Sequence, residues 1–375
     1  MEEIVKIALT GGPCAGKSSA EKFLKKELAK RGWQVIFVPE VATRIIRQYG
    51  LDPPRLAAND REKYLDFQRL VLRTQLREED AAVKQAPKFY GDRKVVIICD
   101  RGAMDGACYM TAGEFKRLIG SMKFKKADLR ERRYEAVFHL VTAADGAETH
   151  YNKDNSARIE TPEQAREADK RTQLVWVGHP HLRIIDNSTD FEGKLNRLLA
   201  KILKALGEPQ KIETERKFLV HRQPDPDSAH FPVPCEDVEI RQVYLAGEEH
   251  VRLRCRGNEE NGVVYYETIK TATGSEASSA EDERIIKRIE YWRGHANRDP
   301  KRDEIRKIRR HFVWKNQYFE LDRFLEPARL KDLTLLEIEL TREDERVELP
   351  PWLGETVEVT ADKRFKNRQL AKRPE

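Results

Sequence analysis

Over residues 1 to about 206, short apolar runs alternate with longer charged, amphipathic stretches. The runs are Ile4 to Leu9, Val35 to Val38, Val95 to Cys99, Val137 to Val141 and Arg183 to Ile185. They are rich in Val and Ile and too short for helices, so they read as strands. The intervals hold helical patterns such as SSAEKFLKKELAKRG, which closes on Gly32. Strands separated by amphipathic helices predict an α/β domain with a parallel five-stranded sheet and crossover helices. A last amphipathic helix, FEGKLNRLLAKILKALG, ends at Gly207, and Glu208-Pro209 then interrupts the pattern. This places a domain over 1–206 and a linker over 207–211.

From 212 to 375 the period changes to two. Glu213, Glu215 and Lys217 share one strand face, with Ile212, Thr214 and Phe218 on the other. Arg252, Arg254 and Arg256 lie opposite Val251, Leu253 and Cys255. Glu320 with Asp322, and Glu337 with Glu339, repeat the pattern. Lys307 and Arg309 share a face in IRKIRRHFVW, although the stretch from Glu281 to Arg310 is charged enough to form a solvated helix instead. Any one of these strands reads as half-buried with a solvated charged face. As a set, they fit a barrel whose charged faces converge inward and whose apolar faces point outward.

Composition narrows the class. Of 375 residues, 39% are hydrophobic and 36% charged, enough apolar material for packed cores and too much for a disordered chain. There is no apolar stretch near the roughly 18 residues of a membrane span, and MEEIVKIALTGG lacks the features of a signal peptide, so a soluble cytoplasmic protein is expected. The 70 Lys and Arg against 64 Asp and Glu leave +6, too weak to demand a nucleic-acid partner. Five cysteines without CxxC spacing fit a reducing compartment. GSEASSA, from Gly274 to Ala280, reads as a loop.

The clearest chemistry lies in Gly11-Gly-Pro-Cys-Ala-Gly-Lys-Ser18, between a strand and a helix. This is the G-x-x-x-x-G-K-[ST] phosphate loop in the context it requires. Gly11, Gly12 and Gly16 allow backbone amides close to phosphate oxygens, Lys17 reaches the outer phosphates, Ser18 offers its hydroxyl to Mg2+, and Ser19 completes the first turn. Asp100, ending the third strand in CDRG, is placed to hold Mg2+ through water or to cap a turn, with Arg101 beside it for phosphate. Glu40, after the second strand in VPE, accepts a proton from an acceptor hydroxyl or caps the next helix. Arg158, Arg166, Lys170 and Arg171 fall where a cationic lid would sit. Asn152-Lys153-Asp154 misses the spacing of the guanine-reading NKxD, which leaves ATP and GTP both open.

Through GGPCAGKSS, VPE and CDRG, residues 1 to about 206 resemble the NadR-type P-loop domain, a nucleoside-kinase-like branch. Glu213-x-Glu215-x-Lys217 resembles the signature of the CYTH, or triphosphate tunnel metalloenzyme, family. The resemblance continues through Arg252 and Arg254, Lys270, Glu320 and Asp322, Glu337 and Glu339, and DKRFKNRQLA with Lys363 and Arg364. It implies an α+β, antiparallel, eight-stranded tunnel barrel in which acids hold Mg2+ or Mn2+ and cations bind a polyphosphate; strand parity adds Lys307 and Arg309 to those cations. The physical logic agrees, because a triphosphate needs several Arg and Lys and hard carboxylate oxygens around its metal. The two domains in this order resemble the TRPL translocation defect family, which implies guanine-nucleotide and phosphoinositide binding in membrane-protein trafficking. The basic KRFKNRQLAKR segment would then touch anionic lipid, or else be a solvated tail. Two functions are thus expected to compete: a phosphate-handling enzyme, with a nucleotide site plus a tunnel that hydrolyses triphosphate, and a nucleotide-switched binding protein without turnover. RNA 5′-end processing is a third, without a stacking motif to support it.

Overall fold

The computed structural model describes residues 4–91, 93–151, 161–208, 215–222, 225, 227–247, 251–272, 279–341 and 344–374, with the side chains of 270–272 and 279–281 outside that description. The chain divides into two compact units, Met1–Leu206 and Gly207–Glu375.

The first unit is built on the five apolar runs. They form β1 (Ile4–Gly11), β2 (Gln34–Val38), β3 (Val95–Asp100), β4 (Ala136–Leu140) and β5 (Leu182–Ile185). All pair in parallel, in the order β2-β3-β1-β4-β5. The helices are α1 (Lys17–Ala29), α2 (Val41–Tyr49), α3 (Pro53–Asn59), α4 (Arg61–Tyr90), α5 (Ala112–Ser121), α6 (Lys126–Leu129), α7 (Pro162–Leu174) and α8 (Phe191–Ala205). Leu24 and Leu28 of α1 and Leu198 and Ile202 of α8 pack with Ile7, Leu9, Ile98 and Phe138 of the sheet. Because β1 is flanked on both sides, its C-terminal end opens at the middle of the sheet edge, where ligands of open α/β sheets bind.

Among the described residues, the second unit is an antiparallel sheet of nine strands. They are β6 (Glu215–Val220), β7 (Cys235–Tyr244), β8 (Val251–Asn258), β9 (Gly262–Ala272), β10 (Ser279–Ile286), β11 (Ile305–Trp314), β12 (Gln317–Glu326), β13 (Thr334–Glu339) and the three-residue β14 (Thr356–Glu358). The order is β10-β9-β8-β7-β11-β12-β13-β6-β14. Two short helices complete the unit, α9 (Arg288–Ala296) and α10 (Asn367–Leu370). The charged stretch before β11 thus resolves into β10, α9 and a loop, while Lys307 and Arg309 themselves lie in a strand.

Alternation sorts the two faces. Phe218, Phe312, Phe319, Leu321, Leu336 and Ile338 form an apolar cluster on one side. Leu253 packs with Val243, Ile286 and Tyr291 of α9, and a Cβ on Gly294 of that helix would fall 2.5 Å from Leu253 Cδ1. The residues between them carry charge and are nonetheless buried: Lys307 is 1% exposed, Arg309 7%, Asp322 0% and Glu337 7%. Lys307 Nζ donates to Asp322 Oδ2 at 2.5 Å, and Arg309 Nη2 donates to Asp322 Oδ2 and Glu337 Oε2, each at 2.6 Å. Lys217 Nζ sits 2.8 Å from Glu337 Oε1. Burial alone would raise the Glu337 carboxyl, but Lys217, Arg309 and Lys307 hold it well below the usual carboxylate range.

A depressed folded pKa means that Glu337 stabilises the unit fully above the ordinary carboxyl value of 4.5, and that this contribution is lost as pH falls below it. Glu337→Gln leaves Lys217 and Arg309 short of a counter-charge and is expected to cost about 3 kcal/mol at pH 7. The difference in thermal midpoint between wild type and Glu337→Gln should narrow between pH 7 and pH 3, read by scanning calorimetry. A constant difference would show that the ionised carboxylate is not the source of the stability.

Candidate functional site

The first cluster gathers at the C-terminal edge of the parallel sheet. The loop from β1 to α1 turns through Gly16 at φ 89°, a left-handed conformation that suits glycine, and Gly16 is the cap from which α1 starts. Thr142 Oγ1 donates to Pro13 O at 2.5 Å, Ala143 N–H to Cys14 O at 3.2 Å, and Lys194 Nζ to Ala15 O at 3.3 Å. Three successive loop carbonyls are therefore held by β4's exit and α8. Lys17 begins α1, with Nζ 3.4 Å from Gly11 O, and Ser18 and Ser19 are exposed on the same turn. Desolvation and the Arg101 guanidinium lower the Lys17 pKa against the pull of Asp100, Glu40 and Asp105.

Asp100 ends β3, and Arg101 follows at φ 72°, a costly conformation for a residue with a side chain. The turn is fixed from several sides. Arg101 Nε donates to Glu40 Oε1 at 3.1 Å, while Glu40 also accepts from Thr43 Oγ1 at 2.9 Å and stands at the start of α2 without a side-chain bond to the helix amides. Arg101 O accepts from Gln75 Nε2 at 2.6 Å. Gln75 leans on buried Glu79, which also accepts from Lys6, Arg133 and Tyr134. Asp105 accepts from Thr10 Oγ1 and, at 2.5 Å, from the Gly102 amide, with Arg101 Nη1 3.5 Å away. Of the residues expected here, Gly11, Gly12, Gly16, Lys17, Ser18, Ser19, Glu40, Asp100 and Arg101 all stand at this edge. Arg158 and the Asn152-Lys153-Asp154 segment lie outside the described residues. Arg166 donates to Ala144 O at 2.7 Å, whereas Arg171 turns to Glu167.

Burial raises the Asp100 carboxyl, as do Glu40 and Asp105, against Lys17 and Arg101. Its Oδ1 is buried without a hydrogen-bond partner among the described atoms. An orphaned carboxylate oxygen beside a phosphate loop and an exposed Ser18 hydroxyl fits Mg2+, which takes one or two protein oxygens and completes its shell from phosphates and water. Among the described residues no three His, Cys, Asp or Glu side chains form a cage of their own.

The second cluster is the charged face of the nine-stranded sheet. Glu320 and Glu337 are direct cross-strand partners, as are Glu337 and Lys217, and Glu339 and Glu215. Glu215 is exposed, and Lys217 Nζ stands 3.7 Å from its Oε1, so a lysine already lies beside the Glu215–Glu339 pair. Glu320 accepts from Arg309 Nη1. Burial and Arg309 lower Lys307 to about 8 despite Asp322, whereas Glu337 and Glu215 hold Lys217 above its ordinary value. On β8, Arg252 and Arg256 are buried and Arg254 partly so. Arg254 pairs with Glu283 of β10, which also accepts from Thr268 Oγ1 at 2.7 Å.

Glu213 lies outside the described residues, and Lys270 is placed only as a position in β9. Lys363 and Arg364 stand exposed on a short 3-10 turn, Arg364 folded back on Asp362, while Asn367 reaches Lys307 at 3.2 Å. Sequence reasoning did not single out Glu283, Asp105, Asp169, Lys194 or the buried His311, whose Nε2 accepts from Arg256 Nη2 at 2.9 Å and whose Nδ1 is 2.8 Å from Tyr318 Oη. Strand parity offered a signal for two of them: His311 is two residues beyond Arg309, and Glu283 lies in an alternating strand.

A family model described as an AAA domain matches residues 6–194. An inorganic triphosphatase of Nitrosomonas europaea is 34% identical over 166 residues, which is 42% of this chain and 96% of that protein. Two solved structures match similarly. One is of an inorganic triphosphatase (33% identity, TM-score 0.30, 43% of this chain and 95% of that one), the other of a protein described as hypothetical (32%, 0.31, 44% and 99%). These matches support the combination of a P-loop domain with a triphosphatase-type domain, but not the TRPL translocation defect family name. The chain belongs to the AAA domain family through its first half and, through a second segment, to the family of the Nitrosomonas inorganic triphosphatase.

Proposed function

We propose that this protein is an enzyme with two phosphate sites: a nucleoside triphosphate, ATP or GTP, bound as its Mg2+ complex at Gly11–Ser18, and a metal-dependent triphosphate site on the charged face of the second unit. The observation that carries the reading is the burial of Lys307, Arg309, Arg252 and Arg256, with Lys217 half-buried, on the same sheet as Glu320, Asp322 and Glu337. Ionised groups are not buried together in such numbers for stability, because apolar residues of similar volume would serve at least as well. A ligand with several negative charges and its metal use both sets.

In the first unit, Ser18 and Asp100 would hold Mg2+, which supplies charge neutralisation on the outer phosphates. Lys17 and Arg101 place fixed positive charge on the transferring group, and partly buried Glu40, ionised by Arg101 and Lys17, is a proton acceptor. In the second unit, Glu215, Glu339 and Glu213 would hold the divalent cation, Mg2+ or Mn2+, and the cations of β8 and β11 neutralise the phosphate oxygens. Water adds to the terminal phosphorus, the phosphoanhydride P–O bond breaks, and phosphate and pyrophosphate leave with a proton released to solvent.

Two measurements test the two sites separately. Lys17→Ala should weaken Mg-ATP or Mg-GTP binding at least 10-fold by calorimetry while leaving tripolyphosphate turnover within about two-fold, since Lys17 belongs to the first unit. Equal affinity in wild type and variant would remove the phosphate-loop assignment. Glu215→Gln should lower Mn2+- or Mg2+-dependent phosphate release from tripolyphosphate at least 100-fold with nucleotide binding intact. A wild type that binds tripolyphosphate with metal but releases no phosphate would reduce the second site to a binding site.

A further inference from the structure

We propose that Asp169 is a positioning residue of the phosphate loop, holding its second glycine from α7. This rests on the reading of Gly11–Ser18 as the nucleotide site. The loop presents its later amides to phosphate, so an earlier amide needs another acceptor. Asp169 Oδ1 accepts from the Gly12 amide at 2.6 Å, a short charge-assisted bond. α7 lies directly on the loop there: a Cβ on Gly12 would fall 2.6 Å from Asp169 Oδ1, 2.7 Å from its Cβ and 3.0 Å from its Cα. Asp169 is 3% exposed.

The carboxylate is itself held. His139, wholly buried in β4, lies with Nε2 3.2 Å from Asp169 Oδ2. An ionised carboxylate only accepts, so the imidazole proton sits on Nε2, and Nδ1 is left buried without a partner among the described atoms. Burial alone would raise the Asp169 carboxyl, but His139, the Gly12 amide and Lys194 bring it below the ordinary value. The contact therefore joins three elements: the loop leaving β1, the centre of β4, and α7. The same helix is tied to β4's exit by Arg166 on Ala144 O and carries Lys170 and Arg171. Asp169 touches no transferring group. It sets where the loop stands relative to the helix that bears those cations.

The test uses the full chain and Mg-ATP and Mg-GTP as probes, with affinity from calorimetry and folding from the thermal transition. Asp169→Asn keeps an oxygen for the Gly12 amide, and His139 can change tautomer to meet the new amide nitrogen. Affinity for the better-bound nucleotide should stay within about three-fold. Asp169→Ala removes the acceptor and should weaken binding at least 10-fold in protein that still unfolds cooperatively. Should Asp169→Ala not fold, Asp169→Glu decides, because it keeps the charge in a place with no room for another methylene and should displace the loop, weakening binding at least five-fold. Unchanged affinity in Asp169→Ala, or in Asp169→Glu where that variant decides, overturns the proposal, as does equal weakening in Asp169→Asn and Asp169→Ala. The wild type separates this outcome from failure of the site itself: binding lost in Lys17→Ala but unchanged in Asp169→Ala removes the role of Asp169 alone, whereas a wild type that binds neither nucleotide removes the underlying reading.

Discussion

A guanidinium taken out of water must find an acid, and Arg309 finds three. It pairs with Glu320 and Asp322 of the neighbouring strand β12 and with Glu337 of β13, one strand further on. The cost of burying one charge thus fixes what the adjacent strands must carry, and Lys307 and Lys217 extend the requirement through Asp322 and Glu337. The alternation of each strand follows from it. One face satisfies charge, and the other supplies the apolar burial that pays for the fold.

The first unit meets the same constraint with backbone rather than side chains. Its phosphate loop offers N–H groups and a helix start, so positive character comes from aligned dipoles and from Lys17 and Arg101. Dipoles act only where the backbone is held in place, which explains how much of the surrounding polar structure is engaged with main-chain atoms. Thr142 and Lys194 take loop carbonyls, Asp169 takes a loop amide, and Gln75 and Asp105 hold the turn after β3. Lys194 is pushed down to about 8 by its burial, yet it donates to Val141 O and Asn187 Oδ1 at 2.7 Å as well as to the loop. A lysine set among carbonyls here does structural work on a binding surface.

Much of this was legible in the chain. The five strands of the first sheet sit within a residue or two of the apolar runs, because a short Val- and Ile-rich segment between amphipathic helices has few other ways to be buried. Parity placed Lys307 with Arg309, and Glu337 with Glu339, on one face of their strands, and the observed register sets Glu337 opposite Lys217. What pattern does not reach is contact between residues far apart in sequence. Asp169 is 157 residues from Gly12 and Glu79 is 73 from Lys6, and α7 and α4 carry them as single buried acids in otherwise ordinary helical patterns. Lys363 and Arg364, singled out through the resemblance of DKRFKNRQLA to a closing basic segment, sit in a 3-10 turn, where no alternation reports a face, and nearby Asn367 contacts Lys307.

The charged face is also uneven, and its unevenness has chemical meaning. β12 and β13 bring Glu320, Asp322, Glu337 and Glu339, and β6 adds Glu215. β8 brings Arg252, Arg254 and Arg256, whose described partners include Glu283, Thr268 and the neutral His311 ring. One wall is thus rich in hard oxygen donors and the other in guanidinium groups, with Arg309 and Lys307 between them. A metal polyphosphate complex has the same polarity, cation on one side and bare phosphate oxygens on the other. On the function proposed above, such a complex would set its cation toward the carboxylates and its phosphate oxygens toward β8, whereas phosphate without metal would face the carboxylates of β13.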